Sequence, residues 1–340
     1  MSDRTSRPPR LGFLGTGWIG RHRLEAVAAS GAAEIAAVAD PVAANADTAR
    51  ALAPGAEVLG SFDELLDAGL DGIVIATPSA LHAEQAVAAL GRGLAVFCQK
   101  PLGRSAEETA RVVEAARDAD RLLGVDLSYR HVEAARRVRD LVSNGELGDV
   151  FAADLVFHNA YGPDKPWFYD PALSGGGCVI DLGIHLVDLA LWMLGYPAVS
   201  ATSARLFAGG TPLDGRTDVV EDYALATLDL DGGAVARLAC SWNLSAGRDA
   251  VIAAEFFGTR GSAALRNVGG SFYDFTATHA RGTSEELIAR PPDAWGGRAV
   301  VAWARRLAEH GRYDAEAVRL VELAAAIDGI YGRRAMVATA

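Results

Sequence analysis

An acid and a base stand four residues apart in the middle of the chain, where residues 178–194 predict a helix. Asp181 and His185 then share one helical face, which Asp188 and Trp192 continue. A carboxylate in this place can orient the imidazole and stabilise its cation, which suits proton transfer. The same spacing also suits two metal ligands, and a polar helix face with a hydrogen-bonded histidine is a third interpretation. These residues alone leave all three interpretations open.

A lysine follows an apolar segment in the first third of the chain. Leu94–Cys98 predicts a strand, and Lys100 lies two residues after its C-terminal end, before Pro101. In open α/β sheets, ligands bind outside the C-terminal ends of the strands, so Lys100 is predicted to point at the edge of a cofactor. The alternative is a solvated surface lysine, which is the ordinary position of this residue type.

A glycine-rich loop lies near the N-terminus, with the sequence Gly15-Thr16-Gly17-Trp18-Ile19-Gly20. It follows a predicted strand, Leu11–Leu14, and opens a predicted helix, Ile19–Ser30. In that context the first glycine allows a tight turn, the second lets the main chain approach a pyrophosphate, and the third allows helix and strand to pack closely. The helix N-terminus adds N–H donors and a partial positive charge. The loop therefore predicts a site for a nicotinamide dinucleotide.

Asp40 ends the next predicted strand, Glu34–Ala39. Its carboxylate would accept hydrogen bonds from the adenosine ribose hydroxyls and repel a 2′-phosphate. Pro41 carries no cation that would neutralise such a phosphate. These residues favour NAD over NADP as the cofactor, although a nearby arginine such as Arg50 would change that preference.

The elements around these residues change character along the chain. Up to residue 125, short apolar strands alternate with helical segments, which predicts a doubly wound parallel sheet covered on both faces. From residue 126 onward, strands of alternating hydrophobicity joined by short Gly/Asp turns are typical of antiparallel hairpins. The prediction is an α/β chain with an N-terminal Rossmann domain, residues 1–125, and a C-terminal α+β domain with a mostly antiparallel open sheet, residues 126–340. The second sheet is predicted from strands at 150–158, 223–230, 234–242, 250–257 and 263–267, and the last helix at 314–331.

Charge and cysteine spacing exclude several classes of partner. The chain has 32 basic and 43 acidic residues, a net charge of −11, and no basic cluster, so neither nucleic acid nor an anionic membrane is an expected partner. The sequence contains no run of 18 or more apolar residues, so no transmembrane helix is predicted. The cysteines at 98, 178 and 240 lie too far apart for a zinc knuckle or a CxxC motif, which predicts no metal, reduced thiols and a cytoplasmic protein.

Four motifs, in order, make the sequence resemble the Gfo/Idh/MocA family of nicotinamide-dependent oxidoreductases over nearly the whole chain. They are the opening strand and loop at 11–20, the TP-x-x-x-H turn at 76–82, Gln99-Lys100-Pro101 in place of an EKP motif, and the GGG-x-x-x-D-x-G-x-H signature at 174–185. The resemblance implies that Lys100, Asp181 and His185 form the catalytic group. In the mechanism that we hypothesise, Asp181 orients His185, and Asp188 is a candidate second support. It also implies cofactor contacts at Thr77, Pro78, His82, Gln99 and Lys100.

Members of this family typically oxidise or reduce a secondary alcohol of a sugar, cyclitol or related polyol, so the resemblance implies an NAD(P)-dependent dehydrogenase or reductase acting on CH–OH groups. It also implies an active site between the domains, and homodimers or homotetramers that associate through the open face of the second sheet. One departure stands out, because Gln99 replaces the usual Glu. Removing a negative charge beside Lys100 favours its neutral form.

Substrate contacts are predicted at strand ends and in the loop before the catalytic helix, where donors and aromatic faces suit a hydroxylated ring. The candidates are Tyr129, Arg130, His158, Trp167 and Asn243. Three further hypotheses compete with a dehydrogenase: a glycoside hydrolase or lyase that retains its NAD, a non-catalytic protein that senses NAD and sugar, and a metal hydrolase using Asp181 and His185.

Overall fold

The computed structural model describes residues 7–333, and the described chain forms two compact units. The first unit holds the residues up to Gly103, Glu108–Asp126 and Gly296–Leu320. The second holds Arg104–Glu107, Leu127–Trp295 and the chain from Val321 onward. The outermost residues of the two predicted domains, 1–6 and 334–340, lie outside the described residues.

The strands and helices are numbered in chain order. The strands are β1 (Arg10–Leu14), β2 (Glu34–Ala39), β3 (Glu57–Leu59), β4 (Gly72–Ile75), β5 (Ala95–Cys98), β6 (Leu123–Val125), β7 (Val150–Asn159), β8 (Val199–Ala208), β9 (Thr211–Pro212), β10 (Tyr223–Leu230), β11 (Val235–Ser241), β12 (Ala250–Gly258), β13 (Ser262–Asn267), β14 (Phe275–Arg281) and β15 (Ser284–Ala289). The helices are α1 (Trp18–Ser30), α2 (Ala43–Leu52), α3 (Phe62–Leu66), α4 (Ser79–Gly91), α5 (Ala106–Asp118), α6 (Glu133–Ser143), α7 (Pro171–Ser174), α8 (Ile184–Met193), α9 (Arg298–Glu309) and α10 (Val318–Ile330). A π-helical turn, Val179–Gly183, precedes α8.

The sheet of the first unit is parallel throughout, with the strand order β3-β2-β1-β4-β5-β6 in the described residues. Its strands are apolar on both faces, and the Ile73, Val74 and Ile75 side chains of β4 are fully buried. The strand order reverses between β1 and β4, which is the point where open α/β sheets bind ligands at their carboxyl ends. The predicted doubly wound Rossmann sheet is confirmed.

Helix α9 belongs to this first unit, although it lies far along the chain. The ring of Trp303 packs on Phe97 with the ring centroids 5.6 Å apart. A Cβ on Gly72 or Gly124 would lie 2.9 or 2.7 Å from the Trp303 ring, so glycine at both positions lets the helix approach the sheet. The single predicted boundary at 125/126 does not describe this arrangement, because an amphipathic helix shows an apolar face but not which sheet that face covers.

The second unit contains a sheet of nine described strands in the order β15-β14-β13-β12-β7-β11-β10-β8-β9. Only the β7–β11 pair is parallel among these described strands, so the predicted mostly antiparallel sheet is confirmed. Alternate residues of β7, including Leu155 and Phe157, are buried on one face. The opposite face carries Leu225, whose exposed fraction is 44%, and the Arg237–Asp154 ion pair. The prediction missed β3, β8, β9, β14 and β15, which are short or rich in small and polar residues.

One stretch of this unit, Pro171–Met193, is long and apolar enough to cross a membrane by length and composition. Within its most apolar window, 89% is buried inside the fold. A core helix of a folded domain shows the same burial, so this stretch is weak evidence for a membrane span.

Candidate active site

The three glycines of the N-terminal loop have three different surroundings. Gly15 has a φ of +81°, and a Cβ there would lie 2.6 Å from the carbonyl oxygen of Ala76. A Cβ on Gly20 would lie 2.1 Å from the carbonyl oxygen of Gly15. At Gly17, the residue before α1, no described atom lies within 4 Å of that position. The turn, the close packing and the open approach for a pyrophosphate are therefore each where the motif requires them.

Asp40 lies beside this loop and holds it. Its Oδ2 accepts a hydrogen bond from the main-chain N–H of Thr16 at 2.6 Å, and its Oδ1 accepts one from the N–H of Val42 at 2.8 Å. The carboxylate thus lies directly after β2, next to the glycine loop, and its contact with a ribose remains a prediction. Arg50 pairs with Asp47 at 3.3 Å on the surface of α2.

His82 lies under the predicted cofactor turns and not at their surface, since its exposed fraction is 1%. Its Nδ1 lies 2.7 Å from the Pro101 carbonyl oxygen and its Nε2 lies 2.7 Å from that of Thr77. Burial lowers the pKa of His82, and these two carbonyl acceptors oppose the shift because only the imidazolium can donate to both. The ring connects the turn at Thr77 to the turn after Lys100, and this position argues against the predicted direct cofactor contact by His82. Thr77 and the exposed Pro78 lie at the surface.

Gln99 also faces the interior of the first unit. Its side-chain amide donates to the carboxylate of Asp126, which follows β6 and is 1% exposed. Arg23 of α1 donates to the same carboxylate and to the carbonyl oxygen of Gly296. Burial, and then the charge of Asp126, raise the pKa of Cys98. Gln99 carries no negative charge, but the carboxylate of Asp126, which its amide contacts, does. The sequence analysis missed Asp126. The sequence contained a signal for Asp126, because this acidic residue directly follows β6, the strand that pairs with β5.

Asp181 and His185 lie at the start of the buried helix of the second unit. Asp181 falls in the π-helical turn and His185 in α8, so the regular helix predicted for 178–194 is wrong at its first turn. Such turns are frequent at functional sites. The indole N–H of Trp242 donates to Oδ2 of Asp181 at 3.1 Å. The His185 ring is 8% exposed and meets the edge of the Tyr129 ring, with centroids 4.9 Å apart.

Comparison with known proteins decides the family. Residues 10–127 match an oxidoreductase family with an NAD-binding Rossmann fold, and residues 135–264 match the Gfo/Idh/MocA C-terminal domain. D-xylose 1-dehydrogenase (NADP(+)) 2 of Haloferax volcanii is 35% identical over 68% of this chain and 69% of its own length. The chain belongs to the Gfo/Idh/MocA oxidoreductases. The predicted family is thereby confirmed.

Two further similarities accompany this assignment. Rhizopine catabolism protein MocA of Rhizobium meliloti is 32% identical over 60% of the chain, and the match spans 64% of that relative's length, which is less than two thirds. Levoglucosan dehydrogenase, in complex with NADH and levoglucosan, superposes with a TM-score of 0.82 over 96% of this chain and 97% of its own, at 22% identity. At that identity the likeness shows the fold.

Two predicted substrate residues of this Gfo/Idh/MocA oxidoreductase are engaged inside the second unit. The guanidinium Nε of Arg130 donates to both oxygens of Asp188, at 3.0 and 2.9 Å, and Asp188 is buried. Asp188 therefore binds Arg130, and its support of His185 remains a prediction. Tyr129 packs edge-on against Phe157 and His185, and burial raises the pKa of its hydroxyl. The Tyr129 ring thus packs against the His185 ring and forms part of its environment.

His158 lies on the other face of the second sheet. Phe157 faces the His185 ring, with centroids 6.3 Å apart, and successive strand residues point to opposite faces. His158 instead lies 2.8 Å from the Ser241 hydroxyl through its Nδ1 and stacks on Tyr223. Burial lowers its pKa. His158 thus lies on the face of the sheet opposite to Phe157 and His185, and this position argues against its prediction as a substrate contact.

Trp167 and Asn243 lie near Trp242, the residue that donates to Asp181. The Trp167 ring stacks on Phe168 with centroids 3.8 Å apart, and Phe168 meets the Trp242 ring edge-on at 6.4 Å. Asn243 follows Trp242 directly, is exposed and has a φ of +57°. These two candidates remain predictions that the geometry is compatible with. Between residues 7 and 333, no group of three or more His, Cys, Asp and Glu side chains could hold a metal ion.

Proposed function

We propose that the protein transfers a hydride between NAD and a secondary alcohol or ketone of a sugar, cyclitol or related polyol. The observation that carries this proposal is the glycine loop, open at Gly17 and flanked by the Asp40 carboxylate, in a member of an oxidoreductase family. The sugar specificity rests on relatives such as the Haloferax D-xylose dehydrogenase.

The proposed roles follow the family resemblance and the geometry of each unit. When bound, the nicotinamide supplies the hydride acceptor or donor. The N–H groups at the start of α1 hold the pyrophosphate, and Asp40 holds the adenosine ribose. His185 accepts the proton of the reacting hydroxyl, Asp181 fixes the imidazole and stabilises its cation, and Lys100 stabilises negative charge that develops on the oxygen.

A panel of sugars and inositols, each offered with NAD⁺ or NADP⁺, tests this proposal. Reduced-cofactor absorbance should grow with at least one polyol and NAD⁺. Product formation without accumulation of reduced cofactor would replace the dehydrogenase by a hydrolase or lyase that retains its NAD. Cofactor binding without formation of any product would favour the hypothesis of a non-catalytic protein that senses NAD and sugar.

The cofactor preference has its own test at Asp40. Asp40→Asn keeps an oxygen for the N–H of Thr16 but removes the charge that repels a 2′-phosphate. Repulsion between partly solvated charges is worth ~1–4 kcal/mol, so the ratio of kcat/KM for NADP⁺ to that for NAD⁺ should rise about tenfold or more. Glu34→Gln is the control, since Glu34 begins the same strand about 20 Å away. A ratio unchanged in Asp40→Asn would contradict the proposed role of Asp40.

We further propose a cytoplasmic homodimer or homotetramer that associates through the open face of the second sheet. The exposed Leu225 side chain on that face supports this proposal. Leu225→Glu should therefore reduce the particle mass in analytical ultracentrifugation, to that of one 35.5 kDa chain if the wild type is a dimer and to that of a smaller oligomer if it is a tetramer. Leu52→Glu, which changes an exposed leucine of the first unit, should not. A wild-type protein that sediments as one chain would overturn the proposal.

A further inference from the structure

The helix that carries Asp181 and His185 begins with four consecutive main-chain N–H groups that have no partner within a helix. Two residues that are distant in the sequence accept hydrogen bonds from all four N–H groups. Glu221 accepts from Gly177 through its carboxylate at 3.0 and 3.1 Å, from Cys178 through its carbonyl oxygen at 3.0 Å, and from Val179 through Oε1 at 2.8 Å. The hydroxyl oxygen of Tyr331 accepts from Ile180 at 3.2 Å.

The three-glycine segment before the helix is shaped around the same two residues. A Cβ on Gly177 would lie 1.9 Å from the Glu221 carbonyl oxygen. A Cβ on Gly176 would lie 2.1 Å from the Tyr331 hydroxyl oxygen. Glycine is therefore required at these positions so that Glu221 and Tyr331 can reach the helix start.

The two residues also bind each other, because the Tyr331 hydroxyl donates to Oε1 of Glu221 at 2.8 Å. Burial, and then the charge of Glu221, raise the pKa of Tyr331, which keeps the phenol protonated and able to donate. Glu221 is 1% exposed, and burial raises its pKa, whereas the bonds from Val179 and Tyr331 oppose that shift. A carboxylate at this end of a helix also interacts favourably with the helix dipole.

The segment that holds Glu221 reaches Asp181 by a second route. The carbonyl oxygen of Asp222 accepts from the main-chain N–H of Trp242 at 2.7 Å. The indole of Trp242 in turn donates to the Asp181 carboxylate. Glu221 and Asp222 thus hold both the main chain that bears Asp181 and the side chain that orients its carboxylate.

We propose that Glu221 and Tyr331 are positioning residues for Asp181 and His185, acting through the four N–H groups at the start of their helix. The consequence for turnover rests on the proposed function; the effect on the helix does not. Misplacement of a catalytic group by about 1 Å costs about 100-fold in rate, so small movements of this helix start are sufficient.

Glu221→Gln and Tyr331→Phe test the proposal, because each keeps the shape of the side chain and removes part of the hydrogen bonding. Leu147→Ala is the control: it removes a fully buried side chain just before β7, at the end of that strand opposite to Phe157. Melting temperatures are measured for all three, and the assays are run below the lowest of them. The readouts are amide hydrogen exchange over residues 177–193, NADH binding, kcat, and KM for the polyol.

Both test variants should speed amide exchange over 177–193 and lower kcat about 10- to 100-fold, with NADH binding kept. Leu147→Ala should lower the melting temperature and leave kcat and that exchange as they are. Exchange at the wild-type rate in Glu221→Gln and Tyr331→Phe overturns the proposal, as does faster exchange with unchanged kcat. If the wild-type protein turns over no polyol, the proposed function fails, and the exchange rates alone then decide whether the two residues hold the helix.

Discussion

Replacement of His185 by alanine is expected to lower kcat for the polyol by about 10²- to 10⁴-fold, the usual contribution of a positioned acid–base group. The NADH dissociation constant should remain close to that of the wild type, because the glycine loop and Asp40 belong to the first unit and His185 to the second. Steady-state kinetics and NADH fluorescence titration measure the two quantities separately.

A second histidine provides the matched control for this experiment. His158→Ala removes an imidazole that lies on the opposite face of the second sheet, so it should leave kcat within a few-fold of the wild type. Near-wild-type turnover in His185→Ala would remove His185 from the mechanism. A collapse of turnover in His158→Ala alone would mean that the reaction uses the other face of the sheet.

The glycine loop was predictable because its three glycines follow one another in a consecutive strand, loop and helix. A Cβ on Gly20 would meet Gly15 of the same loop, and Asp40 directly follows the next strand of the chain. A strand, a loop and a helix in this order fix the positions of all three glycines relative to the sheet edge. The same locality explains why the parallel sheet was predicted correctly.

The surroundings of the catalytic helix were less predictable because they depend on distant partners. Glu221 is 44 positions from Gly177, and the spacing of residues along the chain contains no trace of that contact. Arg130 carries N–H donors that suit a substrate, but in the folded chain its guanidinium donates to Asp188. The side of the sheet that His158 faces follows only when the helix that covers Phe157 is known.

The buried contact between Gln99 and Asp126 leads to the second large effect. Asp126→Ala is expected to lower the free energy of unfolding by about 3–5 kcal/mol, because it removes the carboxylate that balances the buried guanidinium of Arg23. Chemical denaturation measures this loss. Arg92→Ala, which breaks an exposed ion pair with Asp67, is the control and should cost about 1 kcal/mol or less.

Gln99→Glu restores the residue that is usual in the family, and it should nevertheless destabilise this chain. Two carboxyl groups would then meet in a buried site, which raises the pKa of the introduced carboxyl above its unfolded value of about 4.3. A carboxyl whose pKa is raised in the folded state binds its proton more tightly there than in the unfolded chain. The variant should therefore match the wild type near pH 4 and lose stability progressively as the pH rises above that value.

The double variant Gln99→Glu/Asp126→Asn separates charge from position, because it exchanges the carboxylate and the amide between the two sites. It should recover most of the stability that Gln99→Glu loses at neutral pH, as one carboxylate again stands beside Arg23 and one amide donates to it. A double-mutant cycle over these variants measures the coupling directly. If Gln99→Glu alone is as stable as the wild type at neutral pH, Asp126 does not carry the charge that Gln99 lacks. If it is unstable and the exchange restores its stability, this buried site requires one carboxylate beside Arg23, at either of the two strand ends.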